Sequence, residues 1–148
     1  MEALNFPRFN FRVKNTENHL RIFDIVRKKF VVLQPEEWVR QHVVHYLNTV
    51  KGYPLSLLNV EKKLSVNGLT KRYDIIVFNN DGSIHILVEC KAPTVLIDQS
   101  TFDQVARYNL KANATYLMLT NGLSHYYCQL DMKTENYRFL KDIPDFSR

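Results

Sequence analysis

Residues 71–93 read KRYDIIVFNNDGSIHILVECKAP, and their pattern decides the fold. Two apolar runs, 75–78 and 84–88, flank the turn signal Asp81-Gly82, which is how a β-hairpin is written in sequence. Side chains alternate faces along a strand, so Glu89 and Lys91 project from one side of the second run. Asp74 opens the first run, where it can meet them across the pair. Two carboxylates and an ammonium then converge at the rim of an apolar sheet. A buried charge that loses its partner costs about 3–5 kcal/mol, so such a cluster is expensive for stability alone. A divalent cation between the carboxylates would resolve that cost. The competing reading is a strand edge on which Asp, Glu and Lys are solvated gatekeepers. Against it, LVECKAP sets its charges directly after an apolar run instead of alternating them from a polar face.

Working outward, Pro35 opens a helix with Glu36 and Glu37 in its first turn, where proline fits and acids complement the macrodipole. Val39, Val43, Tyr46, Leu47 and Val50 follow at helical spacing, and Gly52 with Pro54 ends the run. Residues 57–66 and 71–78 read as strands around Asn67-Gly68, and 84–91 as a third. A helix is expected over about 100–112, then the strand TYLMLT (115–120), the turn Asn121-Gly122, and another strand near 125–130. Short apolar alternations over 8–33 suggest strands or an extended arm. The order predicts a mixed α/β sheet flanked by helices, an α-βββ-α-β core. With no repeat or linker, it is read as one domain over 1–148: an N-terminal extension (1–33), the core (34–131) and a C-terminal tail (132–148).

Composition narrows the class. The 148 residues are 45% hydrophobic and 12% aromatic, ordinary values for a globular domain. A net charge of +5 favours a polyanionic partner only modestly. Cys90 and Cys128 lack metal-ligand spacing and read as buried reduced thiols. The first residues lack the apolar stretch of a signal peptide, and no run reaches membrane-spanning length, so a cytoplasmic protein without a membrane partner is expected.

A cation held by Asp74 and Glu89 suits phosphodiester hydrolysis, since it lowers the pKa of bound water and neutralises growing negative charge. Mg²⁺ is the expected cofactor, with Mn²⁺ as a substitute, because hard oxygen ligands and retained waters fit it. The Cys90 backbone carbonyl could complete the shell, and Lys91 could orient or deprotonate the water. Gln104 and Tyr108, four apart on the second helix, could contact phosphate or anchor the lysine; alternatively Tyr108 packs on the core and Gln104 faces solvent. On a helical wheel Glu36 falls within the arc of Val39, Val43 and Leu47, while Glu37 falls toward solvent. Dipole compensation accounts for both acids equally well.

Asp74…Glu89-x-Lys91, the acidic first helix and the QxxxY pair Gln104/Tyr108 resemble the PD-(D/E)XK nuclease superfamily. More narrowly, PEEWVRQ, KRYDIIVFNNDG, LVECKAP, DQVARYN and LTNG resemble the N-terminal nuclease domain of type I restriction endonuclease R subunits. The resemblance implies a restriction-endonuclease-like fold, metal on Asp74 and Glu89, catalysis by Lys91, and Glu36 as the helix acid. Tyr73 stands where the superfamily has its namesake proline. The 148 residues leave no room for the ATP-driven translocase of full R subunits, so helicase, translocase or specificity proteins are the expected partners. DNA is the expected substrate, with RNA left open. The rival class is a catalytically silent module of the same fold that binds nucleic acid or protein.

Overall fold

The computed structural model describes residues 1–66 and 68–148. Of the turn expected at Asn67-Gly68, Asn67 lies outside the described residues, while Gly68 adopts φ +77°. The chain first forms β1 (Val13–Thr16), β2 (His19–Asp24) and β3 (Lys29–Val32), an antiparallel three-stranded sheet in that order. Helix α1 follows over Pro35–His45. Strands β4 (Leu58–Val66), β5 (Leu69–Phe78) and β6 (Ile84–Cys90), helix α2 (Gln99–Asn109), and strands β7 (Tyr116–Thr120), β8 (His125–Asp131) and β9 (Asn136–Leu140) complete the fold.

The second sheet has the order β4-β5-β6-β7-β8-β9. Its pairs are antiparallel except β6 with β7, which run parallel. A parallel pair needs a long crossover, and α2 supplies it. Asp98 caps α2, accepting the Thr101 N–H at 2.8 Å, and the run closes at Asn113 in the left-handed conformation, φ +57°.

Alternation along the strands makes two cores. Ile75, Val77, Ile86, Val88 and Met118 pack with Val39, Val43 and Val44 of α1 and with Leu47 just beyond it. Ile76, Leu87, Leu117 and Leu119 pack with Phe102 and Ala106 of α2 on the opposite face. The sheet therefore lies between the two helices, as the sequence pattern predicts.

Two expectations need correction. The helix expected to reach Val50 keeps α-helical spacing only to His45, and residues 46–50 widen so that the Lys51 N–H reaches back to the Tyr46 carbonyl at 3.0 Å. Residues 132–148 are more than a tail: they contribute β9 at the sheet edge, and Ile143 is buried in the core of α1.

The N-terminal arm closes over α1. Asn5 donates to the Gly122 carbonyl at 2.8 Å, and Leu4 sits where a Cβ on Gly122 would fall, 2.9 Å from its methyl. Gly122 also has φ +87°, so this crossing requires glycine twice over.

Candidate active site

The pairing of β4 with β5 runs through Val60↔Ile75 and resumes at Lys62↔Tyr73, leaving Glu61 and Asp74 between. Glu61 has φ +59°, a conformation costly for a side-chain-bearing residue inside a strand. The irregularity flips the alternation. Ile75 packs toward α1, yet Tyr73, two residues earlier, packs toward α2. On the other side, β5 and β6 pair only as far as Ile75↔Val88. Asp74 and Glu89 occupy the next step of that register, at the end of the sheet. There the Asp74 carboxylate accepts the Cys90 N–H at 2.8 Å.

Each of these two acids has its own cation. The Arg40 guanidinium of α1 contacts Asp74 at 2.8 Å, and also Glu36, Glu61 and Glu37 at 2.9, 2.9 and 3.0 Å. Burial alone would lower the Arg40 pKa, but the hydrogen bond to Asp74 and the surrounding carboxylates raise it, so Arg40 is a fixed positive charge. Glu89 pairs with Lys71, whose ammonium lies 4.8 Å from the Tyr73 ring centroid and 4.5 Å from that of Tyr108. Burial, then the Glu89 charge, pushes the Tyr73 phenol to about 12, so it stays protonated at neutral pH.

Lys91 follows β6 directly, its N–H donating to the Thr120 carbonyl at 2.8 Å. Among the described residues its ammonium forms no ion pair. Its charge nevertheless reaches Glu36. Burial and then the Asp74 charge raise the Glu36 pKa, and Arg40 and Lys91 only partly offset them. Gln104 and Tyr108 share one exposed face of α2, and both line a cleft of about 490 Å³ with Lys71 and Tyr73. Tyr108 thus meets Lys71, a lysine other than the one the sequence reading had it anchor.

The wheel assignment of the first-turn acids is reversed. Glu37 is buried, and the Glu36 side chain is 48% exposed. A wheel presumes a single buried face, but α1 also lies against the three-stranded sheet. From that side Arg27 binds Glu37 at 2.8 Å and the fully buried Asp24 at 2.6 Å. Gln41 joins both acids, at 3.0 Å to Asp24 and 3.2 Å to Glu37. Burial pushes Asp24 up, and hydrogen bonds from Arg27 and Gln41 more than reverse it, leaving its pKa lowered. Glu36 instead opens toward Asp74, which keeps it beside the predicted site.

The donor set decides which cation could be held. Among the described residues no group of three or more His, Cys, Asp or Glu converges as a metal cage. Asp74, paired with Arg40 of α1, and Glu89, paired with Lys71 beside α2, supply hard carboxylate oxygens, and a Mg²⁺-type ion needs only one or two carboxylates when waters and substrate fill the rest. The donor chemistry is that of such an ion and not of a tetrahedral zinc site. The Cys90 thiol is fully buried with its pKa well raised, so only the Cys90 backbone could take part.

A family model described as the type I restriction enzyme R protein N terminus (HSDR_N) matches residues 35–144, from the first residue of α1 to just beyond β9. The chain belongs to this family. No curated protein matches it. The R-protein N-terminal domain is a restriction-endonuclease-like α/β fold, and its architecture here is the predicted sheet between helices. The matched span includes Glu36, Arg40, Glu61, Lys71, Asp74, Glu89, Lys91, Gln104 and Tyr108, and leaves the three-stranded sheet outside. Sequence reasoning missed Arg40, Glu61 and Lys71. Arg40 stands four residues after Glu36, a helical ion-pair spacing that could have flagged it. Lys71 opens KRYD, but nothing in the sequence pairs it with Glu89. The left-handed Glu61 leaves no trace in sequence.

Proposed function

We infer that this R-protein N-terminal domain is a Mg²⁺-dependent phosphodiesterase acting on DNA, an endonuclease-like hydrolase of the PD-(D/E)XK type. The observation that carries the reading is the interrupted ladder at Asp74. Asp74 stands one register step past the last β5–β6 pair, opposite Glu89, and Lys91, two residues after Glu89, forms no ion pair among the described residues. When bound, Mg²⁺ or Mn²⁺ would supply a water of lowered pKa and charge neutralisation at the phosphate.

The chain's own residues divide the remaining work. Asp74 and Glu89 would hold the cation through their oxygens, with the Cys90 backbone beside them. Lys91 would orient the attacking water or stabilise charge on the phosphate, since among the described residues its ammonium is committed to no carboxylate. Glu36 would polarise the approach from α1. Arg40 holds Asp74 and Glu36 in place, and Gln104 with Tyr108 borders the substrate side. Family membership supports DNA and partner subunits as what it works with, and helicase, translocase or specificity proteins are the subunits proposed.

The test is single-turnover cleavage of labelled DNA with Mg²⁺ or Mn²⁺ by wild type and Lys91→Ala under saturating enzyme. Loss of cleavage with DNA affinity retained is expected, because the lysine acts in the transition state. Equal rates would remove Lys91 from the mechanism. The pairing of Asp74 with Arg40 and of Glu89 with Lys71 favours a second reading, a silent binding module whose acids are structural. Absence of cleavage by wild type on duplex, single-stranded and branched DNA would select it.

A further inference from the structure

Two clefts open beside the site, and their charges differ. The cleft against α1, about 700 Å³, carries Arg27, Lys29, Arg40 and Arg72 but also Glu36, Glu37 and Glu61. Most of its cations are spent on those acids: Arg27 on Glu37, Arg40 on all three, and Arg72 on Glu61 at 3.5 Å. The cleft along α2, about 490 Å³, has no carboxylate in its wall among the described residues and holds Lys71, Arg107 and Lys111. Among the described residues Arg107 and Lys111 form no ion pair. These two cations also line an adjoining cleft of about 890 Å³, walled on its far side by Tyr137 and Phe139 and carrying a single carboxylate among its described lining residues, Glu135.

Apolar groups stand open along this groove. Leu69 is 65% exposed, Tyr108 54% and Phe139 46%. Free cations interleaved with exposed rings are the two elements that bind a nucleic-acid strand without duplex structure: charge for the phosphates and π-faces for the bases. A duplex keeps its base faces stacked inward and would leave the rings uncovered. The groove begins at Lys71, the residue that pairs with Glu89, so a strand lying in it would run to the candidate active site.

We propose that the groove along α2 holds an unpaired stretch of a DNA strand, with phosphates on Arg107 and Lys111 and a base on Tyr108. This rests on the nuclease reading and names the form in which substrate lies next to Glu89. In the full chain, fluorescence anisotropy in EDTA compares a labelled oligothymidylate with a duplex of equal length across a salt series. The oligothymidylate should bind more tightly than the duplex. Tyr108→Ala should weaken it by about 5- to 150-fold, the range for loss of one stacked base, with Tyr108→Phe close to wild type. Arg107→Ala with Lys111→Ala should reduce the slope of log K against log salt by about 1.4, at 0.7 per phosphate. Melting curves confirm that each variant is folded. Wild-type affinity and salt slope in the double variant, or preference for the duplex, would overturn the proposal. Cleavage with Mg²⁺ separates the two readings. Cleavage that persists when the groove variants change no binding parameter sinks the groove alone. Strand binding as expected without any cleavage sinks the nuclease reading and leaves the groove.

Discussion

Replacing Lys71 by methionine should tighten divalent-metal binding while weakening the metal-free fold. Lys71 and a metal ion compete for the same Glu89 carboxylate. The pair is largely withdrawn from water, with side-chain exposures of 25% for Lys71 and 12% for Glu89. Exposed pairs contribute about 0–1 kcal/mol, and breaking a buried one costs about 3–5 kcal/mol, so this pair falls between, at about 1–3 kcal/mol. Wild type must give up that interaction to bind metal, whereas Lys71→Met need not. At 1.4 kcal/mol per decade, metal affinity should rise by about 5- to 150-fold. Unfolding free energy without metal should fall by a similar amount. Calorimetric titration with Mn²⁺ measures the first, urea unfolding in EDTA the second. Lys62→Met, which removes one charge from an exposed position on β4, controls for the general field. Adding Glu89→Gln should abolish the gain. A folded Lys71→Met that binds Mn²⁺ no better than Lys62→Met would refute the reasoning. If Lys71→Met does not fold, Lys71→Gln, which keeps a hydrogen-bond donor, carries the same comparison.

Arg40→Leu should cost about 3–5 kcal/mol in urea unfolding, because it removes the guanidinium from half-buried Asp74 and leaves buried Glu37 to Arg27 alone; a loss under 1 kcal/mol would mean the acids find other partners. Glu36→Gln should stabilise the metal-free domain more at pH 7 than at pH 4. The raised pKa means the native state holds the proton more tightly, so wild-type stability declines as pH rises from 4.5 through the raised value, and thermal melts at both pH values read the difference. Acid should loosen the N-terminal arm. Burial lowers the pKa of His42, His45 and His125, so the stability they allow is complete above 6.5 and is lost as pH falls through the lowered values. The single tryptophan, Trp38, lies 4.4 Å from His42 and 5.1 Å from Phe11 between ring centroids, and its fluorescence should report the change; a flat signal from pH 7.5 to 5 would contradict it.

Local pattern sufficed for the order of elements, the hairpin around Asp81-Gly82, the placing of the two helices on opposite faces, and the strand register that sets residues 74 and 89 level. Each rests on periodicity, turn chemistry or strand register, which are properties of neighbouring residues. The tertiary structure decided what a one-dimensional period cannot contain. Glu37 rather than Glu36 is buried because α1 is covered on a second side by the three-stranded sheet, and a wheel has no term for a second neighbour. Segment 136–140 became β9 because an open edge at β8 was there to receive it; its alternation of Tyr137 with Arg138 and Phe139 is too brief to announce a strand. The left-handed Glu61, beside Asp74 in the ladder and paired with Arg40, is a backbone conformation that no local pattern announces. The partners of the two central acids, Arg40 and Lys71, come from positions 34 and 18 residues away in the chain, joined only when the sheet and helix pack. Charge pairing over such separations depends on folded geometry, and that geometry set which carboxylates are held and which lysine is free.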